Sequence, residues 1–102
     1  MSNSSLTVAV HGVTGPQGAA VARALLTTGA HVRGIARQGA APDGVEPVAA
    51  DLLDADALTR AYTGADAVVV HLPTVFAPDT ALAQADAVLH AVRRAGVRRL
   101  VV

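Results

Sequence analysis

Apolar residues fall along this chain in two alternating kinds of segment, short continuous runs and longer stretches with a helical repeat. Leu6-Thr7-Val8-Ala9-Val10 is a compact run rich in β-formers, the kind that suits a strand covered on both faces. Beyond a cluster of glycines, Ala19, Ala22, Leu25 and Leu26 recur at helical spacing, and Gly29 stands where a helix C-terminal glycine belongs, so the first helix is predicted from Gln17 to Thr28. His31 to Ala36 reads as a second strand. A loop with Gly39, Pro42 and Gly44 leads to a short third strand, Glu46 to Ala50, closed by Asp51. Asp54 caps a second helix, which carries further acid in its first turn and stops near Gly64. Ala67-Val68-Val69-Val70 is a fourth buried strand ending at His71-Leu72-Pro73. From about Asp79 to Ala95, Leu82, Ala85, Val88, Leu89 and Val92 form one helical face with Gly96 as its stop, and Arg98 to Val102 begins a fifth strand.

Strands alternating with helices predict an α/β fold with a doubly wound parallel sheet, because each crossover must return right-handed over one face. The expected strand order is 3-2-1-4-5, within one domain over residues 1–102. Arg99-Leu100-Val101-Val102 has the pattern of mid-strand and not of a solvated tail, so the sequence reads as the N-terminal portion of a longer domain. A complete small domain with this strand at its edge is disfavoured, since an exposed apolar edge invites pairing with other chains.

Composition narrows the function classes. Just over half of the residues are apolar, but only one Tyr and one Phe occur, so the core must be built from Ala, Val and Leu. The formal net charge is zero, which gives no bulk attraction to nucleic acid or to an acidic membrane surface. All the basic residues other than histidine are Arg; those at 93, 94, 98 and 99 straddle a helix end, where cations favour the carbonyl pole, and no interleaved aromatics accompany them. With no cysteine, neither a disulfide framework nor a thiolate metal site is available, and His11, His31 and His90 lack any metal-like spacing. They are expected to be structural or exposed. The polar start Met-Ser-Asn-Ser-Ser is unlike a signal peptide, and no apolar run approaches the ~18 residues of a membrane span. A cytoplasmic location is expected.

The chemistry is concentrated in the string GVTGPQG, placed between the first strand and the first helix. Gly12 permits a tight turn at the strand end, Gly15 allows close approach of a pyrophosphate, and Gly18 lets the helix pack on the strand with no side chain between. The first backbone N–H groups of such a helix are unpaired and form an anion site. In a dinucleotide-binding fold the end of the second strand faces the adenosine ribose, and an acid about 20 residues past the glycines would bind its 2′-hydroxyl. That place holds Arg37, whose guanidinium suits the 2′-phosphate of NADP, and no Asp or Glu is present there to favour NAD. Arg33, earlier on the same strand, is a weaker candidate for the same side.

The stretch VAVHGVTGPQGAAVARALLTTGAHVRGIARQ resembles the opening of the NmrA-like group of atypical short-chain dehydrogenases/reductases, which also resembles isoflavone and quinone reductases. That resemblance implies a Rossmann fold, an NADP(H) cofactor favoured over NAD(H), and a cofactor site made by Gly12, Thr14, Gly15, Pro16, Gln17, Gly18, Arg37, Asp51, Leu52, His71, Leu72 and Pro73. In it Asp51-Leu52 corresponds to an adenine clamp, the carboxylate meeting the base amino group and the apolar side chain its ring; a helix-capping role for Asp51 competes, although Asp54 already fills it. His71-Leu72-Pro73 lines the ribose and diphosphate through its backbone. His71 has an unperturbed pKa near neutrality, yet a locally satisfied histidine explains it better than an acid-base role.

No catalytic residue is identified. Reductases of the broader superfamily use a tyrosine assisted by a lysine four positions on, but here Tyr62 is followed by Asp66 and the chain has no lysine. Tyr62 is expected to pack a helix face or lie at the surface. In the resembling family the proton donor and substrate pocket lie beyond the fifth strand. Three functions remain open. The first is an NADP(H)-dependent oxidoreductase acting on a small carbonyl, enone or quinone. The second is a non-catalytic NADP(H) sensor working through a protein partner. The third is a sugar-nucleotide epimerase with bound NAD, against which Arg37 counts.

Overall fold

The computed structural model describes residues 6–39, 41–70 and 78–102. In chain order the elements are β1 (Thr7–His11), α1 (Pro16–Thr27), β2 (His31–Ala36), β3 (Glu46–Ala49), α2 (Ala55–Tyr62), β4 (Ala67–Val69), α3 (Pro78–Ala95) and β5 (Arg99–Val101). All strand pairs are parallel, and the sheet order is β3-β2-β1-β4-β5, the order expected from the alternation of strands and helices. It is the Rossmann arrangement. Element boundaries differ from the sequence expectation by a residue or so, chiefly because β1 continues through His11 and α1 opens at Pro16.

The pleat sorts side chains to two cores. Along β1, Val8 and Val10 point to the face covered by α1 and join Val13, Ala22, Val32 and Val45, while Ala9 joins the opposite core with Ile35, Leu58, Ala61, Tyr62, Val68, Val88 and Ala91. Burial on both faces explains why these strands read as apolar runs and not as alternating patterns. The second core is sealed by α2 and α3, whose contact is reinforced by an ion pair between Arg94 and Asp56 at 2.9 Å. Asp54 caps α2 as expected, its carboxylate accepting from the Ala57 N–H at 3.0 Å.

One expectation about α3 fails in detail. Val88 and Ala91 are buried, but Leu82 is 69% exposed and Leu89 is 45% exposed. Alanine, valine and leucine occur almost all round this helix, so spacing alone left the buried face undetermined. The sheet accepts the small-residue strip and turns the leucines outward.

The carboxyl ends of β1, β2 and β3 and the start of α1 meet at one edge of the sheet. Ligands of open α/β sheets bind at this edge.

Candidate functional site

The glycine turn is held by its own backbone. Gly12 adopts φ +70°, and its N–H donates to the Ile35 carbonyl at 3.3 Å, fixing the end of β1 to β2. The Gly15 N–H donates to the Gly12 carbonyl at 2.9 Å, which closes the turn. Gly15 is then the extended N-cap of α1 with no side-chain cap, and Pro16 occupies the first helical turn. The N–H groups of Gln17 and Gly18 have no preceding helical carbonyl to pair with. An anion is the complement of such a helix start.

The glycines do different work. A Cβ at Gly18 would lie 2.1 Å from the Gly12 carbonyl oxygen and 2.9 Å from that of His11, so α1 approaches β1 this closely only with glycine there. A Cβ at Gly15 would meet nothing nearer than 3.5 Å. The protein's own packing leaves room for a methyl group at Gly15, so the space above the helix start is open on this side. Between them Val13 is 1% exposed and anchors the turn to the sheet: Gly34 on β2 makes room for it, since a Cβ there would be 2.7 Å from both Val13 Cγ2 and Val45 Cγ1.

A cleft of about 840 Å³ opens beside the turn. It is lined by His11, Gly12, Thr14 and Gly15 from the end of β1, by Ile35, Ala36, Arg37 and Gln38 from the end of β2, and by Ala50, Asp51 and Leu52 after β3. Three strand ends thus bring together residues that sequence reasoning had nominated separately. Pro16 and Gln17 are exposed at the adjoining helix start, and Gly18 is buried beneath it. His71, Leu72 and Pro73 lie outside the described residues. The Ala36 carbonyl accepts from both the Gly39 and the Ala50 N–H groups, at 3.2 and 3.1 Å, which sets the residues after β2 beside those after β3. There Arg37 Nε stands 3.6 Å from Asp51 Oδ2, while Asp51 Oδ1 accepts from the Leu53 N–H at 2.8 Å. A shallower depression at the start of α2, lined by Asp51, Asp54 and Asp56, is acidic and would repel a phosphate.

Arg33 does not share the cleft with Arg37. Its guanidinium donates to the carbonyls of Ala61 and Thr63, at 3.0 and 2.6 Å, capping the end of α2. His31 likewise pairs with Glu46 across neighbouring strands at 2.8 Å.

Sequence reasoning missed one buried link. His11 Nε2 and the Tyr62 hydroxyl are 2.5 Å apart, with the rings edge to face at 83°, so the last residue of β1 before the turn is tied to the end of α2. Both side chains are buried, and burial pushes the Tyr62 phenol above its ordinary pKa. A lone tyrosine in a helix and a histidine on a strand carry no local sign of meeting. The available signal was their shared inward faces, His11 two residues after Ala9 and Tyr62 four after Leu58.

A family model described as NAD(P)H-binding matches residues 12–102, from the first glycine of the turn onward. The chain belongs to this NAD(P)H-binding family. No curated protein sequence matches it. Among solved structures, this NAD(P)H-binding chain is similar to a nucleoside-diphosphate-sugar epimerase from Pseudomonas aeruginosa, with 28% identity, a TM-score of 0.80, and 95% of this chain covering 32% of that one. It is similar to a short-chain dehydrogenase/reductase superfamily protein from Agrobacterium tumefaciens with bound NAD, with 34% identity, a TM-score of 0.75, and 92% of this chain against 31% of the other. A Rossmann-fold NAD(P)-binding family protein from Shigella flexneri gives 25% identity, a TM-score of 0.78, and coverage of 95% and 50%. The chain therefore spans about a third to a half of the length of these proteins. Among the described residues no helix is long and apolar enough to cross a membrane.

Proposed function

We propose that this NAD(P)H-binding chain is the cofactor-holding part of an NADP(H)-dependent oxidoreductase of the NmrA-like kind. The observation that carries the NADP preference is Arg37, at the ribose end of the cleft, in the place where an NAD-binding fold carries an acid. The α1 start holds the diphosphate through the Gln17 and Gly18 N–H groups, Arg37 binds the 2′-phosphate, and Asp51 with Leu52 receives the adenine. Thr14 borders the diphosphate from the turn. The nicotinamide of a bound NADP(H) would carry hydride to or from a small carbonyl, enone or quinone substrate. The residues of this chain place and orient it; the proton donor belongs to segments beyond β5. The absence of cysteine fits a cytoplasmic setting.

Titration with NADPH and NADH tests the cofactor assignment. The wild-type chain is expected to bind NADPH more tightly, and Arg37→Ala to remove the difference. Equal affinities unchanged by the substitution refute it. Turnover of NADPH by the intact protein with a panel of quinones and aldehydes tests the enzyme; tight binding without turnover would contradict it and leave the reading of a non-catalytic NADP(H) sensor acting through a protein partner.

A second reading is an NAD-dependent sugar-nucleotide epimerase. Its support is the similarity to the Pseudomonas aeruginosa epimerase and to the NAD-bound Agrobacterium tumefaciens protein. Tighter binding of NADH than NADPH would favour it.

A further inference from the structure

The charge on Arg37 does not stand alone in the cleft. Asp51, on the neighbouring strand end, directs one carboxylate oxygen at Arg37 Nε from 3.6 Å while the other is tied to the Leu53 N–H. That second bond forms a local turn that holds the carboxylate in place. The Arg37 side chain, 83% exposed, is by contrast free to swing on its long stem. A fixed anion thus sits beside a movable cation.

We infer that Asp51 sets cofactor specificity by competing with the ribose 2′-phosphate for Arg37, which blunts the preference for NADP and keeps NAD admissible. With an unphosphorylated ribose the Arg37–Asp51 pair stays closed and presents a nearly neutral surface to the hydroxyls. With a 2′-phosphate Arg37 must leave Asp51, and the phosphate also gains a carboxylate neighbour. Both effects subtract from the phosphate's advantage. This inference rests on the reading of Arg37 as the 2′-phosphate ligand.

The test uses adenosine 2′,5′-bisphosphate and adenosine 5′-monophosphate, titrated calorimetrically into the full chain. Their affinity ratio isolates the 2′-phosphate from any effect of Asp51 on adenine, which both probes share. Asp51→Asn keeps an oxygen for the Leu53 N–H, and Asp51→Ser serves as a second neutral variant. Each is expected to raise the ratio by about three- to fivefold, the scale of an exposed ion pair. In an Arg37→Ala background the same substitutions are expected to raise the ratio clearly less, only by what direct carboxylate–phosphate repulsion contributes, as a double-mutant cycle for a coupled pair requires.

If Arg37→Ala lowers the ratio but neutralising Asp51 does not raise it, the competition is overturned while the phosphate role of Arg37 stands. An equal rise with and without Arg37 overturns it too, because direct repulsion would then suffice. If Arg37→Ala leaves the ratio unchanged, the phosphate role and the competition fall together.

Discussion

Gly18 lies so close under the Gly12 carbonyl that a methyl group on it would come within 2.1 Å of the oxygen and 2.4 Å of the carbon. Backbone cannot yield there without moving either β1 or α1, whereas Gly15, three residues earlier, has room. The fold therefore requires glycine at position 18 but not at position 15.

Gly18→Ala is expected to destabilise the protein by about 3 kcal/mol or more, at the upper end of what overpacking costs. Gly15→Ala is expected to keep a thermal midpoint near wild type yet lose affinity for NADPH by about tenfold or more, the equivalent of ~1.4 kcal/mol. Thermal unfolding and nucleotide titration of the two variants side by side distinguish them. Equal stability loss in both would contradict the assignment.

Val13 depends on a glycine in the neighbouring strand. Gly34→Ala places a methyl group against Val13 and Val45, both buried and stiff at χ1, and is expected to cost about 1–3 kcal/mol. Because Val13 belongs to the turn, this variant should weaken NADPH binding as well, although Gly34 lies outside the cleft lining. Denaturant unfolding and the same titration read both effects.

Tyr62→Phe removes the hydroxyl from His11 within the core and is expected to cost about 1–3 kcal/mol. Loss of the whole ring in Tyr62→Ala is expected to cost more, about 3–5 kcal/mol, because a cavity is added. Chemical denaturation gives both values, and a neutral Tyr62→Phe would show that the hydrogen bond contributes nothing net.

The same tyrosine gives an alkaline signature. Burial raises its folded pKa above the value near 10 of an unfolded chain, so the neutral phenol's contribution is intact below about pH 10 and is lost as pH climbs towards the folded value. Tyr62 is the only tyrosine, so tyrosinate ultraviolet absorbance reports it without overlap. Tyrosinate is expected to appear together with the loss of helical circular dichroism. Ionisation near pH 10 with the helices intact would contradict burial.

The Asp54 cap and the glycine turn were readable from local pattern because each is set by neighbours in sequence, and the strand order followed from the alternation of strands and helices, whose crossovers are constrained in hand. Positions decided across the fold were not. His11 and Tyr62 are 51 residues apart and meet only after β1 and α2 have packed. Arg33 and Arg37 sit on one stretch of chain, yet Arg33 is drawn to the end of α2 by free carbonyls that a strand pattern does not reveal. Leu82 and Leu89 illustrate the same limit, since an apolar helix does not state which face the sheet will take. Arg37 and Asp51 could each be nominated from the sequence, but their pairing required the β2–β3 register to bring two strand ends together.

The central claim is that the start of α1 holds a diphosphate with the adenosine directed along the ends of β2 and β3. Amide chemical shifts of the isotope-labelled protein during titration with NADPH test it most directly. The largest changes are expected at Thr14, Gly15, Gln17 and Gly18, followed by Arg37, Gln38 and Leu52, with little change at Val88 and Ala91 in the α3 core. Changes centred on the groove between β3 and α2, at Arg33, Glu46, Arg60 and Thr63, with the glycine turn undisturbed, would contradict it.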